Sequence, residues 1–521
     1  MLELHTYTTG RSRARFWKGN IDLSYRGQRN TRGFPKPQGL YDSRNEHDAC
    51  GIGFVANLKG VKSHKIVQQG LQILCNITHR GAVGADPKAG DGAGILVQIP
   101  DEYMRSECAN LGFDLPVVGD YAVGAIFLPQ DDVLRKACEE ILEQFVKSEG
   151  QEFLGWRDVP VDNSDLGYSV KPTEPRIRQI FIQRGEGCED TNTFERKLFV
   201  IRKQVEIEID ALGAEFADFY VASLSARTLL YKGMVLADQV GAFYLDLQDS
   251  RFKSALALVH QRFSTNTFPT WKLAQPFRSL AHNGEINTLK GNINWMKVHE
   301  QEMHSPLFQN IENLKPVIPS GNSDSASLDN VFELLTTSGH SAPLAKLMLI
   351  PDAWSKKSKV LPKEHLQLFN FLNSSMEPWD GPAAIAGTDN EWVIVASDRN
   401  GLRPMRYTVT NEKLLFAGSE TGMIDIDEKK IIEKGRLGPG EILGIRIEKG
   451  KIFRNTEIKN YLAKEYKHFN NQIVDLDKKI ACFPEDGVLL IAVRSSVPTR
   501  KHIIMESENG TISMDHFPNT V

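Results

Sequence analysis

The sequence predicts a layered α+β domain. Three observations carry that expectation. Apolar runs of strand length recur along the chain, a few long amphipathic helices lie between them, and neither strict strand–helix alternation nor an internal repeat is present. The layered region is expected over residues 50–455, with an arginine- and glycine-rich segment at 1–49 before it and a linker and tail at 456–521 after it. That tail is small for an independent domain.

The elements follow in order. CGIGFVANL, from Cys50, reads as a short buried strand. SHKIVQQGLQILCNITHRG reads as a helix capped by Ser63, with Ile66, Val67, Leu71, Leu74 and Ile77 on one face and Gly81 as a stop. GDYAVGAIFLP is a further strand. DDVLRKACEEILEQFVKSEG is the clearest helix, and its apolar stripe puts Cys138 in a core. Strands are expected at RQIFIQR, FYVASLSART, FYLDL and LALVHQRFST, and a capped helix at SDSASLDNVFELLTTSG, with Asp324 in the cap. AAIAGTDNEWVIVASDRNGLRPMRYTV reads as two strands with a tight turn at Asn400-Gly401, and GEILGIRIEKGKIF as a hairpin. NYLAKEYKHFNNQIVDLDKKI reads as a polar helix or linker, and GVLLIAV as one last strand.

Composition narrows the function. The chain has 521 residues, with 62 Lys and Arg against 66 Asp and Glu, a net charge of −4. No global field favours nucleic acid or a membrane surface, so a small-molecule substrate is expected. No apolar run approaches the roughly 20 residues that cross a bilayer. The six cysteines, at 50, 75, 108, 138, 188 and 482, form no CxxC pair and no tight metal or iron–sulfur spacing. A disulfide framework is not expected at this size, which points to a reducing, cytoplasmic setting. Residues 1–49 can bury little. Their composition fits a floppy terminus, a transit peptide into an organelle stroma or a pro-segment removed at Cys50.

Four stretches concentrate small, polar and charged residues: DACGIGF, HRGAVGADPKAGDGAGI, HQRFSTNTFPTWKLAQPFRSLAHNGEIN and GNSDSAS. The glycines at 90, 92 and 94 suggest a phosphate cradle. However, GxxxxGK[ST] is absent, and a helix precedes these glycines where a dinucleotide site has a strand. A turn that lets backbone approach a neighbouring site fits them better. Taken singly, Arg262 reads as a strand-end ion pair, Asn283-Gly284 as a turn, and His260 and His282 as structural histidines lacking the companions of a metal site.

Taken together, and in this order, ACGIGF, HRG…DGAGI, HQRFST, HNGEIN and SDS resemble the class II glutamine amidotransferases. YDSRNEHDACGIGFVA, SLSARTLLYKGM, LAHNGEINTLKGNINWM and SDRNGLRPMRY resemble more closely the amino-terminal glutaminase domain of glutamate synthase large subunits, over about residues 40–455. The resemblance implies a four-layer αββα sandwich of the amino-terminal-nucleophile hydrolase type. It implies that Cys50 becomes the first residue and attacks the side-chain amide of L-glutamine, its own α-amine serving as base. Asn283 and the Gly284 N–H would form the oxyanion hole, Arg262 would clamp the substrate carboxylate and Asp324 its ammonium, with Ser264 and Thr265 adding hydroxyl contacts. Some class II members carry Trp and His where this chain has Phe263 and Asn266, which leaves the roles of those two positions open.

No metal or cofactor is expected in this chain. The resemblance implies that FMN and an iron–sulfur cluster belong to a synthase region, a further domain or a separate subunit, in which the ammonia meets 2-oxoglutarate. That region is not legible here, and the apolar-poor sequence after about 495 departs from the family's pattern. The alternative is a catalytically silent relic that binds glutamine or regulates a synthase.

Overall fold

The computed structural model describes residues 50–264, 267–353, 361–466, 504–507 and 510–513. Residues 1–49, Thr265 and the expected strand GVLLIAV lie outside the described residues. In chain order the strands are β1 (Gly51–Asn57), β2 (Ala93–Gln98), β3 (Tyr121–Leu128), β4 (Glu152–Asp158), β5 (Arg176–Gln183), β6 (Tyr220–Ser225), β7 (Thr228–Gly233), β8 (Leu256–Gln261), β9 (Leu280–Gly284), β10 (Ala383–Thr388), β11 (Trp392–Ser397), β12 (Arg406–Thr410), β13 (Leu414–Gly418), β14 (Ile431–Arg436), β15 (Ile442–Arg446) and β16 (Lys451–Phe453). A separate hairpin pairs Ile504–Ser507 with Gly510–Ser513. The helices are α1 (His64–Asn76), α2 (Asp101–Asn110), α3 (Asp132–Ser148), α4 (Thr191–Leu212), α5 (Val240–Phe243), α6 (Leu289–Glu302), α7 (Asp324–Thr337), α8 (Ala342–Leu349), α9 (Lys363–Ser375) and α10 (Asn455–Glu465).

Two antiparallel sheets form the centre. One has the order β14-β12-β13-β1-β8-β2-β7 and the other β16-β15-β11-β10-β9. They meet face to face where β1 touches β9 and β10 and β8 touches β9. Their inner strands, such as β1, β8, β10 and β11, are buried on both sides and read as near-continuous apolar runs, whereas the edge strand β14 alternates. α1 covers the outer face of the first sheet on β1, β2 and β8, while α7, α8 and α10 cover the second on β9, β11 and β15. The result is the four-layer helix–sheet–sheet–helix arrangement that the resemblance implied.

α1 lies unusually close to its sheet. A Cβ on Gly70 would fall 2.7 Å from the Ala257 Cβ, and one on Gly53 would fall 2.3 Å from the Ile73 Cγ2. The first strand after Cys50 is thus pinned by the helix that follows it.

A third sheet, β4-β5-β3-β6, was not expected. It carries α3 and the 22-residue α4 and buries its own core, including Cys138, Leu142, Ile180, Phe194 and Ile201. α4 also packs on α7, which ties this module to the central layers.

Other expectations are corrected. FYLDL is not a strand: Val240–Phe243 is a short helix and Leu245–Gln248 a 3-10 turn. FYVASLSART does not run through as one strand but breaks at Ala226-Arg227 into β6 and β7. The stretch from Ala383 holds three strands, the first pair joined at Asp389–Glu391. Ser63 precedes α1 without a capping hydrogen bond, and Thr78–Arg80 form a 3-10 turn before Gly81. The cap of α7 is Ser323, whose Oγ accepts from the Ala326 N–H at 3.2 Å, and Asp324 is the first helical residue.

Candidate active site

Cys50 stands at the mouth of the central strand β1, whose register pairs Gly51 with Gln261 of β8. That register sets Cys50 beside the segment leaving β8. The Cys50 Sγ lies 3.2 Å from both the O and the N of Phe263. The residue keeps part of its surface open. Burial nevertheless pushes its thiol up to about 11, against the lowering effects of the Phe263 backbone and of the Arg262 and Arg403 charges; the Asp324 carboxylate adds to the rise.

Arg262 is buried, and its arm is built from loop polar groups. Its N–H donates to the Gly92 O at 2.9 Å. Its guanidinium donates to Ser264 Oγ at 3.1 Å, Thr267 Oγ1 at 2.7 Å and, at the limit of 3.5 Å, the Asp91 O. The Ser264 N–H donates to Asp91 Oδ2 at 2.5 Å, and the Ser264 hydroxyl donates to the Thr267 O. Burial pushes the guanidinium's pKa down, while Asp91, Cys50 and Asp324 oppose that shift. Gly92 (φ +122°) has no room for a side chain, since a Cβ would lie 2.7 Å from the Ala274 Cβ. The glycine-rich turn therefore brings backbone and Asp91 against the arginine arm.

Asn283 and Gly284 end β9, and Asn283 is almost fully buried. Gly284 takes φ +143°, and a Cβ there would sit 1.7 Å from the Pro382 O, so only glycine fits. The Asn283 Nδ2 donates to Ser419 Oγ at 3.1 Å. β9 is held in place by the His260 ring, whose Nε2 donates to the His282 O at 3.1 Å, and by Gln275, which bonds both the N–H and the O of His282. Burial keeps His260 neutral, with its pKa lowered to about 3. The two histidines are thus a link between the sheets.

Asp324 opens α7. Its Oδ2 accepts from the Ile286 N–H at 2.9 Å and its Oδ1 from the Ser325 N–H at 2.7 Å. Carboxylate oxygens retain further lone pairs for a cation. Cys50, Arg262 and Asp324 all lie within electrostatic reach of one another. Asn283 is tied to this group through Ser419, which bonds Ile52, two residues beyond Cys50. Thr265 lies outside the described residues.

Sequence reasoning missed Asp91, Arg403 and Ser419. Arg403 is presented by a turn organised on Asp398, whose carboxylate accepts from the N–H groups of Ala383, Asn400, Leu402 and Arg403. The Asn400-Gly401 pair signalled the turn but not the direction in which it points. Among the described residues no group of three or more His, Cys, Asp and Glu side chains could hold a metal ion, and no helix is long and apolar enough to cross a membrane.

Comparison with known proteins decides the family. The model of class II glutamine amidotransferases matches residues 50–470. The chain belongs to that family. It is 49% identical over 425 residues to the glutamate synthase [NADPH] large chain of Azospirillum brasilense and 47% identical over 433 residues to that of Bacillus subtilis. These alignments cover 81% and 83% of this chain but 28% of each relative. The ferredoxin-dependent glutamate synthase 2 of Arabidopsis thaliana chloroplasts is 40% identical over 82% of this chain and 26% of its own length. The chain thus spans just over a quarter of the length of these three relatives. As a class II glutamine amidotransferase, it has the amino-terminal-nucleophile sandwich as its fold type.

Proposed function

We propose that the chain hydrolyses L-glutamine to L-glutamate and ammonia, with Cys50 as an amino-terminal nucleophile. The observation that carries this reading is the gathering of Cys50, Arg262 and Asp324 at one end of the sandwich, with Asn283 joined to them through Ser419.

With residues 1–49 removed, Cys50 gains a free α-amine, a group that titrates near about 7.7 to 8.0. The amine takes the thiol proton, and the thiolate attacks the amide carbon. The resulting oxyanion is met by the Asn283 amide and the Gly284 N–H. Ammonia leaves with the returned proton, and water cleaves the thioester to release glutamate and restore the thiol. The Arg262 fork clamps the substrate α-carboxylate, and Asp324 takes its α-ammonium. Recognition of both ends selects a free amino acid. Ser264 positions Arg262, and Thr265 adds a hydroxyl contact.

While Cys50 is still inside a peptide bond there is no such base, and its thiol, raised to about 11, is almost wholly protonated at neutral pH. The reading therefore makes the unprocessed chain nearly inactive. The glutaminase step needs no cofactor; FMN and an iron–sulfur cluster belong, on this reading, to a synthase region that consumes the ammonia with 2-oxoglutarate.

The test is the intact mass and amino-terminal sequence of the protein from its host, with glutamine turnover measured on the same sample. A chain that begins at Cys50 and releases ammonia supports the proposal. A chain that begins at Cys50 yet fails to turn over glutamine, while still binding it, would establish the silent relic instead.

A further inference from the structure

We propose that Ser419 positions the Asn283 amide, holding its nitrogen toward the carbon that Cys50 attacks. The inference rests on the glutaminase reading above and adds to it a residue from neither the nucleophile strand nor the oxyanion strand.

Ser419 directly follows β13, the neighbour of β1. Its N–H donates to the Ile52 O at 3.0 Å, and its Oγ accepts from the Ile52 N–H at 3.0 Å. The same Oγ meets the Asn283 amide at 3.1 Å. Ile52 lies two residues beyond the nucleophile, and Asn283 lies in the other sheet. One hydroxyl therefore spans the gap between the strand that delivers Cys50 and the strand that delivers the oxyanion donor. Ile52, Asn283 and Ser419 are each at most 1% exposed, so water does not compete for these bonds. Gly418 makes the approach possible: a Cβ there would fall 2.4 Å from the Ile52 O.

Donor–acceptor matching gives the contact a direction. With Nδ2 on Ser419, the serine oxygen accepts two N–H groups, and the buried Asn283 Oδ1 has no partner. A buried acceptor left without a partner costs about 1–3 kcal/mol. A half-turn of the amide keeps its shape, gives Oδ1 a donor in the serine proton and leaves Nδ2 as the group that awaits a partner, which the oxyanion supplies during the reaction. Oγ still accepts from Ile52, its own proton goes to Oδ1, and both Nδ2 hydrogens are released to the opposite side, where an oxyanion needs donors. Ser419 then acts on the reaction through Asn283 and touches no substrate atom.

The experiment is a double-mutant cycle on the full chain matured to begin at Cys50, comparing wild type, Ser419→Ala, Asn283→Ala and the double variant by glutamine turnover. Removal of one oxyanion donor costs about 10²- to 10³-fold in rate, so loss of its orientation should lower kcat by about 10- to 100-fold with KM within about twofold. In the Asn283→Ala background the serine substitution should have almost no further effect. Ser419→Cys, which keeps a weak donor, should recover part of the rate, and it carries the test if the alanine variant does not fold. An active wild type with an unaffected Ser419→Ala overturns this inference alone. So does a serine effect that persists in full without Asn283. An inactive matured wild type overturns the glutaminase reading, and this inference with it.

Discussion

Asn283 and Arg262 do different work on the proposed reading, and their substitutions should separate cleanly. Asn283 is buried at the end of β9 and meets charge that develops only in the transition state. Asn283→Ala should therefore lower kcat by about 10²- to 10³-fold and leave KM nearly unchanged. A KM increase with kcat preserved would assign Asn283 to substrate binding instead. Arg262 is held by Ser264 and Thr267 so that its planar fork is fixed. Lysine keeps the charge but loses the fork. A charge-assisted hydrogen bond contributes about 1.5–3 kcal/mol, so Arg262→Lys should raise KM by about 10- to 100-fold with kcat within a few fold. Steady-state glutamine kinetics on the matured protein read both. Cys50, Arg262, Asn283 and Asp324 were visible in the sequence only because their motifs resemble a family; singly, Cys50 reads as the start of a buried strand, Arg262 as an ion pair, Asn283 as a turn and Asp324 as part of a cap. Ser419 and Asp91 were not visible at all. Their partners, Asn283 and Ser264, lie 136 and 173 residues away in the chain, and no local pattern encodes such a pairing.

Among the elements, those with a strong period were legible and those set by tertiary context were not. The stripe of α3 and the apolar runs of β1, β3 and β8 have the spacing that burial demands, and they form where expected. FYLDL has strand-like residues, yet Tyr244 and Leu247 are buried by a turn that folds back on β7, with the Tyr244 hydroxyl donating to the Lys232 O at 2.6 Å. α4 was missed because its buried set includes Arg202 and Lys203, charged residues that a sequence reading places outside. Arg202 is matched by Glu206 and Glu333, and Lys203 donates to backbone carbonyls of Pro316 and Val317. Glycine had a meaning in α1 that its helical period did not reveal. Gly70→Ala should gain about 1 kcal/mol of helix propensity but overpack the contact with Ala257, at a cost of about 1–3 kcal/mol. The close approach wins if the helix cannot shift. Chemical denaturation should then show a less stable protein, whereas a more stable one would mean that α1 rides on its sheet with slack.

Across the whole molecule, packing four layers and an added sheet module buries histidines that have no charged partner, and this sets how the fold responds to acid. His260 between the two sheets and His340 between α7 and α8 are both neutral in the folded protein, with burial lowering their pKa values to about 3 and about 4. Other groups oppose them: burial raises Asp329 to about 6, so it takes up a proton in the folded state as the pH falls. The total acid response therefore mixes signs, and a single group has to be isolated. His340 suits this, because burial is the one cause of its shift and its Nε2 has no hydrogen-bond partner. An unfolded histidine binds its proton near pH 6.5, but the folded His340 does so only near 4. Between those values the unfolded state holds more protons, so His340 removes stability as the pH falls through 6.5 and the full loss is reached below about 4. Above about pH 7 it has no such effect. The slope is about 1.4 kcal/mol per pH unit for one proton, and the full span is roughly 3 kcal/mol. Urea midpoints of wild type and His340→Leu should hence differ by a constant amount between pH 7 and 8. Between pH 6 and 4.5 the variant should gain steadily on the wild type. Parallel curves over the whole range would mean that His340 takes its proton in the folded protein as easily as in the unfolded chain, so that the core between α7 and α8 is open to water.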